Sequence, residues 1–158
     1  MLLGATTETL KLVTTTTADI HYYIEYVDYI PGTSFTPAAT QGIITSIGTA
    51  TILTAPAAGT TRKIKSVSIH NSNATTTNTV TVIKDISATQ YDLIPDVVLG
   101  VDEALQMNAN DSWQVLDGLG RIKTLTEATS AASATTIPFR KAQLAVGQAA
   151  GTPHFLGT

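Results

Sequence analysis

From Thr60 to Thr124 the chain is a succession of short threonine-, valine- and isoleucine-rich segments broken by polar turns, with no helical spacing of its apolar residues. β-branched residues in alternation suit a half-buried pleated surface better than a helix. Strands are therefore expected at Arg62 to His70, Thr79 to Lys84, Gln90 to Ile94, Ala104 to Met107, Trp113 to Leu116 and Arg121 to Thr124. Between them fall NSNATTTN, Asp85 to Thr89, the GVDE turn reached through Pro95 to Leu99, NANDS and DGLG, all rich in residues that turn the backbone. Strands of four to nine residues with turns at fairly even intervals predict an all-β fold. The expected architecture is an antiparallel β-sandwich, jelly-roll-like in layout.

Upstream, ETLKLV from Glu8 to Val13 alternates, and Asp19 to Ile30 alternates again over twelve residues, DIHYYIEYVDYI. Ile20, Tyr22, Ile24 and Tyr26 share one face of that strand; His21, Tyr23, Glu25, Val27 and Tyr29 share the other. Aromatic rings on both faces predict a strand covered on both sides, which makes Tyr22, Tyr23, Tyr26 and Tyr29 candidate contacts with a partner subunit. Cross-strand tyrosine pairing within one sheet accounts for the same pattern. Pro31 and Gly32 end the strand, and TSFTPAATQG up to Gly42 reads as a loop. Ile43 to Ala55 then reads as one long strand or two broken at Gly48.

A chain of 158 residues accommodates one domain with a core of its own. The β-domain is expected at 1–124, with 1–18 as an N-terminal extension or edge strand. After Leu125 the sequence turns small and polar, with Ile137, Phe139, Leu144, Phe155 and Leu156 at no single period. Residues 125–158 are accordingly expected to form an extended C-terminal arm, with those five side chains as candidate partner contacts and a short helix from Pro138 to Val146 as a further reading.

Charged residues make up only 13% of the chain, against about 25% in ordinary soluble domains. Threonine and serine supply the polar surface instead, and these enter an interface with less desolvation cost than lysine or glutamate. The net charge is −3 and the densest cationic run is Arg62, Lys63 and Lys65, too little for direct nucleic-acid binding. Neither an apolar run long enough to span a bilayer nor a signal-peptide pattern is present, so no membrane association is expected. With no cysteine, disulfides and thiolate metal sites are excluded.

Catalytic chemistry finds little to work with. His21, His70 and His154 are far apart in sequence, and none has a second ligand at metal-binding spacing. Asp96, Asp102, Glu103, Asp111 and Asp117 are scattered through turns, where carboxylates serve the local backbone. NANDS lacks the ligand count of a calcium loop, and DGLGR does not open a helix as a phosphate cradle does. Neither a nucleophile elbow nor a P-loop occurs. The expectation is a non-enzyme with no catalytic residues, no metal and no cofactor. Trp113 reads as core, and a carbohydrate-binding module with Trp113 stacked on a sugar is the competing use of it.

The run from Arg62 to Lys123 resembles a group of small structural proteins of tailed-bacteriophage virions. The residues that carry the likeness are RKIKSVSIHN (Arg62, Val67, Ile69, Asn71), TVTVIKD (Val80, Val82, Lys84, Asp85), LGVDEAL (Leu99, Glu103, Leu105) and WQVLDGLGRIK (Trp113, Val115, Leu116, Asp117, Gly120, Arg121, Lys123). The resemblance covers about half of the chain. It implies a virion protein made in the bacterial host's cytoplasm, most simply a capsid cement or decoration protein that is homo-oligomeric and bridges major capsid protein or other virion subunits. A tail, neck or fibre-attachment component is the alternative, and the lack of a glycine-rich or coiled-coil repeat speaks against a fibre.

Overall fold

Ten strands carry the described residues, 1–123, of the computed structural model: β1 (Leu2–Leu3), β2 (Glu8–Thr14), β3 (Ile20–Ile30), β4 (Ser34–Ile44), β5 (Gly48–Leu53), β6 (Thr61–Asn71), β7 (Asn78–Ile86), β8 (Thr89–Leu99), β9 (Ala104–Met107) and β10 (Trp113–Leu116). One sheet has the order β10-β9-β6-β3-β4, with β1 also on β6; the other has the order β5-β2-β7-β8. Every pairing is antiparallel. Hairpins join β3 to β4, β7 to β8 and β9 to β10, while the remaining connections cross between sheets. The result is an antiparallel β-sandwich. The arm expected at 125–158, with Ile137, Phe139, Leu144, Phe155, Leu156 and His154, lies outside the described residues, as does the helix read at Pro138 to Val146.

Alternation decides what each strand buries. In the first sheet Ile20 and Ile24 of β3 point inward with Ile64, Val67 and Ile69 of β6 and Leu105 and Met107 of β9; in the second, Leu10 and Leu12 meet them with Val80 and Val82. Burying each of these side chains contributes about 1.5–3 kcal/mol. Along one register row Trp113 stands opposite Met107, Met107 opposite Val67 and Val67 opposite Ile24, so the tryptophan closes the edge of the core from the inside.

Polar side chains close the two ends of β6. At its start, buried Arg62 donates from Nε and Nη2 to the Asp28 carboxylate at 2.7 and 2.8 Å and from Nη1 to the Thr54 carbonyl at 2.9 Å. The guanidinium also lies 4.1 Å from the centre of the Tyr26 ring. Asp28 belongs to one sheet and Thr54 follows the edge strand of the other, so this cation ties the layers together. At the far end, the fully buried Asn71 amide donates to the carbonyls of Thr76, Leu99 and Gly100 at 2.9–3.1 Å, fixing the β6–β7 loop against the end of β8. Asn78 does the same for the chain after β2, accepting from the Thr15 N–H and donating to the Thr16 carbonyl.

Five expectations change. The first eighteen residues are no extension, and their main strand is no edge: β2 lies between β5 and β7 in the middle of its sheet. The expected loop through Gly42 is β4, paired residue by residue with β3 from Ser34 opposite Ile30 to Ile44 opposite Ile20. The break expected near Gly48 falls just before it, since β4 ends at Ile44 and β5 begins at Gly48, whose φ is +125°. β8 continues through Pro95 because it is an edge strand that shifts register twice against β7, with Asp96 at φ +35°. The last expected strand, Arg121 to Thr124, shrinks to a single bridge between Ile122 and Leu116 among the described residues.

Candidate partner-binding face

The outward face of β3 and β4 combines exposed rings with a scarcity of charge. Because β3 alternates, Tyr22 and Tyr26 turn inward and pack against the chain's own core, while Tyr23 and Tyr29 turn outward, 41% and 37% exposed. Of the four tyrosines expected to meet a partner, the outward pair is exposed and Tyr22 and Tyr26 are partly buried. β4 adds side chains that the loop reading overlooked: Phe35, 74% exposed, and Ile43, 60% exposed, lie on the same outward side as Pro37, Ala39 and Gln41. A three-residue turn after an eleven-residue alternating strand was the available signal, since such a turn returns the chain as a partner strand.

The face has two halves. At the hairpin end Tyr29 stacks on Phe35 with ring centroids 4.8 Å apart, and Val27 lies opposite Pro37. This half is apolar. At the other end a groove of about 560 Å³ opens to solvent, lined by His21, Tyr22, Tyr23, Gln41, Gly42 and Ile43 of β3 and β4 and by Ser68 and His70 of β6. Between the halves the Tyr23 hydroxyl donates to Glu25 at 3.3 Å and the Ser66 hydroxyl donates to the other Glu25 oxygen at 3.0 Å. Partial desolvation first, and then the Glu25 carboxylate beside it, hold the Tyr23 phenol above its ordinary pKa. Glu25 is the one charge carried by β3 on this face, and β4 carries none.

Register brings together what sequence distance hid. His21 and His70 are directly opposite across β3 and β6, ring centroids 6.4 Å apart and edge to face. No third ligand joins them: among the described residues no cluster of three His, Asp or Glu side chains is placed to hold a metal ion. Four of the five scattered acids serve structure. Asp117 accepts from the N–H groups of Leu119 and Arg121 and from the Arg121 side chain, and its carbonyl accepts from the Gly120 N–H, so these donors of DGLGR are used within their own loop. Asn108 likewise takes the N–H groups of Asn110 and Ser112 in NANDS. Glu103 pairs with Lys123 and with the Gly100 N–H, Asp111 with the terminal ammonium, and Asp96 with the Thr81 hydroxyl. Trp113 is half-buried and packs against the core, and its row across the sheet contains Met107, Val67 and Ile24.

Chemically, the face offers rings, hydroxyls and amides in a setting of few charges, the composition of a protein–protein interface. In comparisons with known proteins, no family model, no curated protein and no solved structure matches this chain.

Proposed function

We propose that the protein is a structural component of a bacteriophage virion, a capsid cement or decoration protein that stabilises the particle by contacts with the major capsid protein and with copies of itself. The observation that carries this reading is the outward face of β3 and β4, where Phe35, Tyr29, Tyr23 and Ile43 stand exposed around a strand with no charged residue. A surface of that kind is stabilised when another protein covers it. The likeness of Arg62 to Lys123 to phage structural proteins supplies the biological setting, and the acids held in turns and ion pairs make a hydrolytic role the weaker account of the same fold.

The test is quantitative mass spectrometry of purified particles from a host that carries the gene, with an antibody against the folded domain to label intact particles. A cement protein is found at a fixed ratio to the major capsid protein, on the order of hundreds of copies, as the symmetry of a shell requires. A copy number of about six to twelve moves it to the neck or tail. Particles that lack the protein altogether overturn the proposal.

A further inference from the structure

We infer that β4 is a self-pairing edge: its free side joins antiparallel to β4 of a second copy, with Gln41 on the twofold axis, so that one continuous sheet runs from β10 of one subunit to β10 of the other. The two long edges of this sandwich differ in kind. β8 has the devices that block pairing, two register shifts, Pro95, and the charges of Asp92 and Asp96. β4 is equally long, keeps unbroken register with β3 and has no charged side chain, and no other strand among the described residues pairs with it. A long, uncharged, regular edge is a template for another strand.

Backbone direction fixes which groups are free. The Thr33 N–H donates to the Ile30 carbonyl at 3.0 Å, so Ile30 faces across the hairpin, and alternation from there makes the even-numbered residues of β4 bond to β3. The odd-numbered ones face outward from the edge. Pro37, with no N–H to give, fits that outward set. Free donors and acceptors thus remain at Ala39, Gln41 and Ile43.

The occupant follows from charge and spacing. About a twofold axis every residue meets its own copy or a symmetry mate, so a charged strand would oppose like charges, and an uncharged one meets itself without repulsion. Centred on Gln41, Ala39 lies opposite Ile43 of the second copy and Ile43 opposite Ala39, a large side chain against a small one on each side of the axis. Moving the centre one residue toward the hairpin, to Thr40, sets Pro37 opposite Ile43 and loses a donor on each side; moving it one residue the other way, to Gly42, leaves only Gln41 and Ile43 bonded before the strand ends at Ile44. Proline and strand end therefore bracket one register. This pairing does not depend on the virion reading, because it is measured on the isolated protein.

The chain has no cysteine, so a single Gln41→Cys substitution gives an unambiguous readout. In a hydrogen-bonded antiparallel pair the α-carbons are about 5.5 Å apart, within the range of about 4.4–6.8 Å that a disulfide spans. Full-length Gln41→Cys is expected to oxidise to a disulfide-linked dimer roughly tenfold or more faster than Tyr91→Cys on β8, at equal concentration and with unchanged circular dichroism. Sedimentation should show a dimer for the unmodified protein and a shift to monomer for Gln41→Pro. Equal cross-linking rates for the two cysteine variants overturn the inference, whether β4 is then free, covered by residues 124–158 or taken by a different contact; so does a protein that is monomeric across the concentration series.

Discussion

The ring of Tyr22 lies across Gly42, its register partner on β4, so closely that a β-carbon at Gly42 would come within 2.5 Å of the tyrosine hydroxyl oxygen and 2.7 Å of Cζ. The glycine is present to make room for the ring, and its own φ is not in the left-handed region. Gly42→Ala is expected to cost about 1–3 kcal/mol, because Tyr22 packs against the core and must leave its place. In a Tyr22→Ala background the same substitution should cost almost nothing. Urea unfolding of the four proteins gives the coupling, and equal costs in both backgrounds would show that the ring is not what excludes the methyl group.

Removing Asp28 leaves the Arg62 guanidinium buried with the Thr54 carbonyl and the Tyr26 ring as its remaining partners. Asp28→Asn is expected to destabilise by about 3 kcal/mol, since an unmatched buried charge costs more than a lost pair contributes. The double variant Arg62→Met with Asp28→Leu should recover most of that loss. Thermal unfolding at neutral pH is the measurement, and a double variant no better than the single one would mean that Arg62 acts through packing alone.

Acid should unfold this protein through its carboxylates. Burial pushes Glu8 up, but the Gly4 N–H and Lys84 together outweigh it and its pKa is lowered. The Lys11 ammonium lowers Asp85, and hydrogen bonds from Arg121 lower Asp117; for Glu103, burial raises it while Lys123 and the Gly100 N–H bring it below the ordinary value. Groups that ionise more readily when folded contribute stability in full above the unfolded carboxylate range and lose it as pH falls through their lowered values. Melting temperature is expected to be flat near neutrality and to drop below about pH 4. Asp85→Asn should lower the plateau and make the acid limb shallower; an unchanged acid limb would assign the acid sensitivity to other groups.

Phe35 and Tyr29 stack on each other in solvent, where such a pair contributes less than about 1 kcal/mol to folding. Phe35→Ser is therefore expected to leave unfolding nearly unchanged while abolishing attachment to particles, as read by co-sedimentation with virions. Undiminished co-sedimentation would move the particle contact away from this half of the face.

Much of the fold was legible because alternation is local. The bounds expected for β9 and β10 are those observed, and β3, β6 and β7 differ from expectation only at their ends. β4 was hidden because its middle, Pro37, Ala38 and Ala39, has little intrinsic preference for a strand and breaks the alternation, and it is the long partner β3 that holds it extended. Pro95 misled in the same direction, since a proline stops a central strand but not a bulged edge. The candidate face was half legible. Alternation alone separates Tyr23 and Tyr29 from Tyr22 and Tyr26, but which side is the interior depends on where the second sheet lies. The meeting of His21 with His70 depends on the register of β3 against β6, which a reading of neighbours along the chain does not contain.

The contrast between the rims of this sandwich also sets how far assembly can go. β8 is blunted, β10 is four residues long with Ile122 already bridged to its last residue, and β5 is a six-residue edge of the other sheet, so β4 is the one long, regular rim among the described residues. Under the inferred pairing that rim is covered by the first mate, and the joined sheet ends at the short β10 of each subunit, so this threonine-rich, sparsely charged sheet does not grow into a ribbon.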